Sequence, residues 1–118
     1  MTDRGRQRRG KVDFVQPSPA KAGGITELCK VFSIAMVRNV TVMLHSFYDG
    51  PGLLAAIHAT AALGGSQAMV EWREFDLEAQ IYGGALAPKG GRIPVPQRPG
   101  LGIEPDPDVI RTYARYNQ

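Results

Sequence analysis

Three short apolar segments alternate with two longer segments of helical periodicity along the first part of the chain. The apolar segments cover residues 12–16, 40–45 and 68–71, and each ends in a polar or ionisable side chain. Residues 25–38 and 53–63 repeat apolar side chains near helical spacing. Strands that alternate with helices favour parallel pairing, because each crossover returns the chain to the same edge. The pattern therefore predicts an α/β domain with a parallel sheet.

The two predicted helices differ in how much of their surface is apolar. In residues 25–38 apolar side chains take one face, while polar residues such as Glu27 and Lys30 take the other. Cys29 falls among the apolar positions, so we expect a buried, inert thiol rather than a reactive one. Residues 53–63 are apolar on nearly all sides. This second helix should therefore pack on more than one face.

The regular pattern ends after the third strand. Residues 83–108 hold six glycines and six prolines, which is too many for regular elements. A short edge strand over residues 92–96 is the one exception that the pattern allows. A last helix is predicted over residues 107–116, with Pro107 near its start.

Length and charge limit the classes of function. The chain has 118 residues, enough for one domain, and a formal charge of +3 at pH 7. Residues 1–11 hold five basic side chains and one acidic one, whereas the remainder has nine basic and ten acidic side chains. We therefore expect residues 1–11 to be a disordered leader, with contact to nucleic acid as the alternative. The nearly neutral remainder does not favour nucleic-acid binding.

Hydropathy and cysteine content indicate a compartment. No apolar run approaches the length of a membrane span, so we expect no membrane association. A single cysteine leaves no internal disulfide, which is typical of a reducing compartment. We therefore expect a cytoplasmic protein.

Two ionisable side chains end neighbouring predicted strands. His45 ends the second strand and Glu71 ends the third. In α/β proteins, catalytic groups gather at the carboxyl ends of parallel strands. Side chains alternate along a strand, so His45 shares a face with Met43, and Glu71 shares a face with Met69. Both candidates can therefore point to the same side of the sheet.

Several short blocks follow one another in a characteristic order. They are residues 12–17 (VDFVQP), 23–27 (GGITE), His45, Val70-Glu71, 91–96 (GRIPVP) and 99–103 (PGLGI). Together, over about residues 12–113, they resemble the C-terminal part of the mandelate racemase and muconate lactonizing enzymes of the enolase superfamily. The resemblance implies a partial (β/α) TIM-type barrel in which residues 12–82 supply the last three strands. Residues 83–118 would form a Gly/Pro-rich tail that returns toward a capping domain.

The resemblance also implies roles at the strand ends. His45 corresponds to the family's general base, and Glu71 to an acid that hydrogen-bonds the substrate carboxylate. Family members abstract the proton α to a carboxylate and stabilise the resulting enediolate with bound Mg²⁺. Ser18 stands where racemase-like members carry an acid, so its hydroxyl can orient His45 without adding charge. We therefore expect His45 to be a weaker base, or the acid for a leaving hydroxyl, as in an acid-sugar dehydratase.

Several further aromatic and ionisable residues follow the strand ends or lie in the second helix. Phe47 and Tyr48 are candidate substrate-binding residues, and the alternative is that they only cover the barrel mouth. The family's Mg²⁺ ligands lie on strands that would precede residue 12, so we assign no metal ligand in this chain. His58 is expected to be a packed histidine inside the second helix. Three acids that alternate after the third strand are expected to be solvated: Glu74, Asp76 and Glu78.

Two functions from different classes remain open. In the first, the chain is the C-terminal part of an enolase-superfamily enzyme that acts on a carboxylate-bearing small molecule, an acid sugar, and is inactive alone. In the second, it is a non-catalytic half-barrel that serves as an interaction scaffold. Three parallel strands leave two edges and one face uncovered. We therefore expect self-association or pairing with a complementary barrel segment.

Overall fold

A computed structural model describes residues 12–115, in which three strands alternate with the first two of three α-helices. In chain order the elements are β1 (Phe14–Val15), α1 (Ile25–Arg38), β2 (Thr41–Leu44), α2 (Pro51–Leu63), β3 (Met69–Val70) and α3 (Pro107–Tyr113). Two short 3-10 helices lie at Gly65–Gln67 and Gly83–Leu86. The leader predicted at residues 1–11 lies outside the described residues, and so do residues 116–118.

The strands form one parallel sheet in the order β1-β2-β3. Phe14 pairs with Thr41 on one side of the sheet, and Leu44 pairs with Val70 on the other. The predicted alternation of strands and helices and the parallel pairing are therefore confirmed. β1 and β3 have two residues each, fewer than predicted, and each pairs with β2 alone among the described strands.

One face of the sheet is covered by helices. Leu28, Phe32 and Ala35 of α1 are spaced four and three residues apart, which puts them on one side of the helix. They are buried in one cluster with Val42 and Leu44 of β2. Burial of these side chains is the main source of stability on this face of the sheet.

Cys29 lies outside the buried stripe of α1. Its thiol is exposed, so the prediction of a buried thiol is wrong. Each residue turns a helix by about 100°, so the residue after Leu28 points away from the sheet. Met36 and Val37 are also exposed on this helix. Apolar residues spread around more than one face of α1, so an apolar neighbourhood in the sequence did not imply burial.

α2 is buried on two sides, as its nearly uniform apolar surface predicted. Ala56 belongs to the cluster that α2 shares with α1 and β2. Leu54 and Ile57 instead pack in a second cluster with Tyr82 and Leu86, from the segment that follows β3. That segment therefore folds back over α2.

The segment between β3 and α3 has little regular structure. The edge strand predicted over residues 92–96 is not formed, and Lys89 and Arg92 make an isolated antiparallel bridge instead. Pro94 and Pro96 lack the backbone N–H groups that a strand ladder requires, which explains the difference.

α3 begins at Pro107, as predicted, and ends at Tyr113 rather than at residue 116. The Asp106 carboxylate caps its first turn by accepting hydrogen bonds from the backbone N–H groups of Asp108 at 2.8 Å and Val109 at 3.3 Å. In the described part of the chain, no helix has the length and apolar character needed to cross a membrane.

Candidate active site

The register of the sheet places the carboxyl ends of β2 and β3 side by side. Leu44 pairs with Val70, so the next residues, His45 and Glu71, are neighbours. The backbone N–H of Glu71 donates to the Leu44 carbonyl at 3.1 Å, which extends the ladder past the strand. On the β1 side, the backbone N–H of His45 donates to the Pro17 carbonyl at 3.1 Å. Main-chain hydrogen bonds to both neighbours therefore fix the backbone that carries the imidazole.

The side chains of His45 and Glu71 meet directly. Nδ1 of His45 lies 2.7 Å from Oε2 of Glu71, and the two side chains are 28% and 30% exposed. The same carboxylate oxygen accepts a hydrogen bond from the backbone N–H of Ser46 at 3.3 Å. The pair is partly shielded from water and can still be reached by a small molecule. The structure thus brings together the two side chains that the sequence singled out.

Two aromatic rings frame the imidazole. The Phe47 ring packs edge-on against the His45 ring, with centroids 4.7 Å apart and planes 73° apart. The centroid of the Tyr48 ring lies 6.3 Å from that of His45. Both candidate substrate-binding aromatics are therefore adjacent to the imidazole, and Phe47 remains exposed enough to contact a ligand.

Ser18 is buried at the end of β1, and its hydroxyl bonds to a residue other than His45. Its Oγ lies 2.9 Å from the Tyr48 hydroxyl, which is its side-chain hydrogen-bond partner among the described residues. The Tyr48 ring fits here because Gly52 has no side chain: a Cβ on Gly52 would lie 2.7 Å from Tyr48 Cε2. The expectation that Ser18 orients His45 is therefore corrected, since Glu71 contacts the imidazole instead.

An open groove lies beside His45 on the β1 side. Gln16, Ser18, Lys21 and His45 contribute to its lining, and its volume is about 470 Å³. The groove combines hydrogen-bonding groups with an ammonium cation, a combination suited to a small polar anion. Ser18 thus stays a candidate substrate-binding residue, because it lines the groove together with the imidazole.

A second charged contact joins the β2–α2 loop to the segment after β3. Nη1 of Arg73 lies 3.9 Å from Oδ1 of Asp49, and both side chains are largely buried. The guanidinium also stacks over the Trp72 ring, 4.6 Å from its centroid. This contact links the loop that carries Phe47 and Asp49 to the segment that carries Arg73.

Sequence reasoning missed the Arg73–Asp49 contact. The available signal was the two-residue spacing between Glu71 and Arg73, which favours one face of an extended segment. Asp49 also affects a residue further along the chain. Burial of the phenol raises the pKa of Tyr82 most, and the negative charges of Asp49 and then Glu104 raise it further.

Residues 12–115 contain no group of three or more histidine, cysteine, aspartate or glutamate side chains that could hold a metal ion. The three acids after β3 are exposed, and Glu78 accepts a hydrogen bond from the Tyr113 hydroxyl at 3.1 Å. A hard cation such as Mg²⁺ needs several converging oxygen ligands. The described side chains therefore do not by themselves fit a Mg²⁺ site.

His58 lies apart from the strand ends. It is half-buried within α2, and its Nε2 lies 3.1 Å from the Leu101 carbonyl oxygen. The prediction of a packed histidine is confirmed. This hydrogen bond connects α2 to the segment that covers it.

Comparison with known sequences identifies the class of protein. A family profile described as Enolase C-terminal domain-like matches residues 7–109. The chain therefore belongs to the enolase C-terminal domain-like family, whose members have a β/α barrel domain. The predicted resemblance to the enolase superfamily is confirmed.

Three similar proteins are enzymes of known activity. The chain is 31% identical over 106 residues to arabinonate dehydratase of Saccharolobus solfataricus, covering 90% of this chain and 28% of that protein. It is 28% identical over 113 residues to D-galactarolactone cycloisomerase of Agrobacterium fabrum, covering 88% and 30%. It is 27% identical over 105 residues to D-xylonate dehydratase of Haloferax volcanii, covering 86% and 25%. The chain thus spans less than a third of the length of these relatives.

Proposed function

We propose that this chain is the C-terminal part of an acid-sugar dehydratase of the enolase superfamily and is inactive without the remaining barrel strands. The observation that carries the proposal is the contact between His45 and Glu71 at the ends of two adjacent parallel strands. The relatives support the reaction class, because an arabinonate dehydratase and a D-xylonate dehydratase each match most of the chain.

The proposed reaction removes water from a hydroxy acid. A base takes the proton α to the carboxylate, and the electron pair of that C–H bond forms a double bond to the β carbon. The β hydroxyl leaves with its bonding electrons and takes up a proton, so that water departs. His45 is the proposed acid for this hydroxyl: Glu71 engages Nδ1, so the imidazolium form would give up its second proton, the one on Nε2, and return to the neutral ring with its proton on Nδ1. The base for the α proton would belong to earlier strands.

The groove beside His45 supports binding of a carboxylate-bearing molecule. Ser18, Phe47 and Tyr48 are the proposed substrate-binding residues, since each lies beside the imidazole or lines the groove. Mg²⁺ is implied for the complete enzyme by the family resemblance. Its ligands would come from outside residues 12–115, because the described side chains form no suitable group.

The uncovered face of the sheet supports a partner for this chain. Phe14 and Met69 are 54% and 39% exposed on the face that also carries His45 and Glu71. Parallel sheets are normally covered on both faces, and barrel closure removes their edges. We propose that complementary barrel strands cover this face in the active enzyme and that, without them, two copies of the chain associate.

The test begins with the DNA upstream of the codon for Met1. A reading frame for a capping domain and the earlier barrel strands is expected there or in a neighbouring gene. Co-expression of that product with this chain should give Mg²⁺-dependent water loss from an acid sugar. His45→Asn should lower the rate by about 10²–10⁴-fold, because general acid–base catalysis contributes that much. His58→Asn is the matched control, and it should leave the rate within about twofold.

A non-catalytic scaffold is the second candidate function. The exposed apolar residues on the uncovered face of the sheet favour it. Absence of any upstream frame, with tight association between copies of the chain, would support the scaffold. Activity of the co-expressed protein that survives His45→Asn would contradict the role of His45, and lack of activity in the co-expressed wild-type protein would contradict the enzymatic proposal.

A further inference from the structure

We propose that Glu71 is the positioning residue for His45, a role that the sequence had given to the residue at position 18. Glu71 would hold the imidazole with the proton on Nδ1 and leave Nε2 facing the substrate. The catalytic role of Glu71 rests on the proposed function. The contact between Glu71 and His45 is independent of that function, and it can be tested in the chain alone.

The contact between the two side chains carries the inference. Nδ1 of His45 lies 2.7 Å from Oε2 of Glu71, a distance typical of a hydrogen bond to a charged acceptor. An ionised carboxylate can only accept, so the bond requires a proton on Nδ1. In a neutral imidazole the other nitrogen, Nε2, then carries the lone pair. The carboxylate thus selects both the tautomer and the orientation of the ring.

The main chain beside His45 holds the carboxylate in place. The backbone N–H of Ser46 donates to Oε2 of Glu71 at 3.3 Å, and Oγ of Ser46 donates to the Glu71 carbonyl oxygen at 2.9 Å. Ser46 is buried and the Glu71 side chain is half-buried, so these bonds are partly shielded from competing water. Glu71 therefore has a fixed position relative to the next residue of the histidine's own strand, as a positioning group requires.

The hydroxyl of Ser18 is occupied elsewhere. It is bonded to the Tyr48 hydroxyl at 2.9 Å, and the Tyr48 ring is seated against Gly52. An acid at position 18 would be the expected partner of the histidine in a racemase-like site. Here the only carboxylate that the described residues bring to the imidazole comes from β3. The carboxylate that contacts His45 therefore lies on the β3 side of the imidazole, whereas a racemase-like site would have it on the β1 side.

Nitrogen-15 NMR of the full chain at about pH 9, where imidazoles are neutral, tests this arrangement. We expect the His45 ring to show protonated Nδ1 and unprotonated Nε2, with an Nδ1–H signal that persists in water. In Glu71→Gln the amide can either accept from or donate to Nδ1, so a mixture of tautomers and loss of the Nδ1–H signal are expected. Ser18→Ala should leave the His45 tautomer unchanged. Glu74→Gln removes an exposed acid three residues further along the chain and is the matched control for charge.

A wild-type ring protonated on Nε2 would overturn the inference, and so would a change in tautomer in Ser18→Ala but not in Glu71→Gln. The wild-type spectrum alone decides the matter if Glu71→Gln fails to fold. These measurements use no substrate. A correct tautomer without activity in the co-expressed protein would therefore refute the proposed function, whereas activity with the opposite tautomer would refute only the role of Glu71.

Discussion

The two faces of the sheet differ in how completely they are packed. On the helix side, Val42 and Leu44 are buried against α1 and α2. On the other side, Phe14 and Met69 are 54% and 39% exposed, and they share that face with His45 and Glu71. The helix side therefore forms a buried hydrophobic core. The other side combines exposed apolar side chains with the ionisable pair of the candidate site.

Along β2 and its carboxyl end, the residues that contribute to stability alternate with those that contribute to the candidate site. Because side chains alternate along β2, consecutive residues belong to opposite faces. Leu44 anchors the strand to the helices, and His45 faces the site. Substitutions on the helix side should therefore change the free energy of unfolding, and substitutions on the other side should change association and proton transfer.

The largest effect is expected for Leu44→Ala. Deleting most of a fully buried leucine side chain costs about 2–5 kcal/mol in the free energy of unfolding, a large part of the stability of a small domain. Met69→Ala, on the uncovered face, should cost less than about 1 kcal/mol. Urea unfolding followed by circular dichroism measures both. Equal losses for the two variants would contradict the contrast between the faces.

Association should depend on the uncovered face. Burying a phenylalanine contributes about 1.5–3 kcal/mol, so Phe14→Glu should weaken association between copies by at least about tenfold. Ile34→Glu is the control, because Ile34 is an exposed apolar residue of α1 away from the sheet. Sedimentation velocity over a range of concentrations gives both dissociation constants. A monomeric wild-type chain, or an equal effect of the two variants, would contradict self-association through this face.

The dependence of the unfolding free energy on alkaline pH should test how Tyr82 packs in the cluster that the segment after β3 forms with α2. Burial, Asp49 and Glu104 raise the pKa of Tyr82 above its usual value of 10.0. The folded state therefore favours the neutral phenol, and this part of the stability is complete below about pH 10 and falls as the pH rises through the folded-state pKa. Unfolding free energies measured between about pH 9 and 11 should decline less in Tyr82→Phe than in wild type. An identical decline would show that Tyr82 is not held in this environment.

The smallest effect is expected at Cys29. The thiol is exposed on α1, so Cys29→Ser should change the free energy of unfolding by less than about 0.5 kcal/mol. The native chain should also react with a thiol-specific reagent as fast as the urea-unfolded chain does. Protection of the thiol in the native chain would mean that a partner covers this face of α1.

The sequence predicted the elements that local rules determine. Periodicity located both long helices, and alternation put His45 and Glu71 on one face, which their contact at 2.7 Å requires. Periodicity could not tell which apolar positions of α1 would lack a partner, so the burial of Cys29 was predicted wrongly. The failed edge strand at residues 92–96 shows how two prolines override an alternating pattern.

Side-chain contacts between residues far apart in the sequence could not be predicted from local patterns. The Tyr48 hydroxyl meets Ser18 across thirty positions of sequence, and it does so because Gly52 leaves space for the ring. Arg73 meets Asp49 across two loops whose paths no local pattern defines. Such contacts depend on how the loops pack against one another, and the bond between Ser18 and Tyr48 leaves Glu71 as the side chain that contacts Nδ1 of His45.

The most direct test of the account asks whether the purified chain alone removes water from acid sugars in the presence of Mg²⁺. If the acid–base pair belongs to this chain and the metal-binding carboxylates belong to other strands, we expect no turnover with any sugar acid and no tight one-to-one binding of Mg²⁺ by calorimetry. Turnover by the chain alone that EDTA abolishes and His45→Asn removes would contradict it.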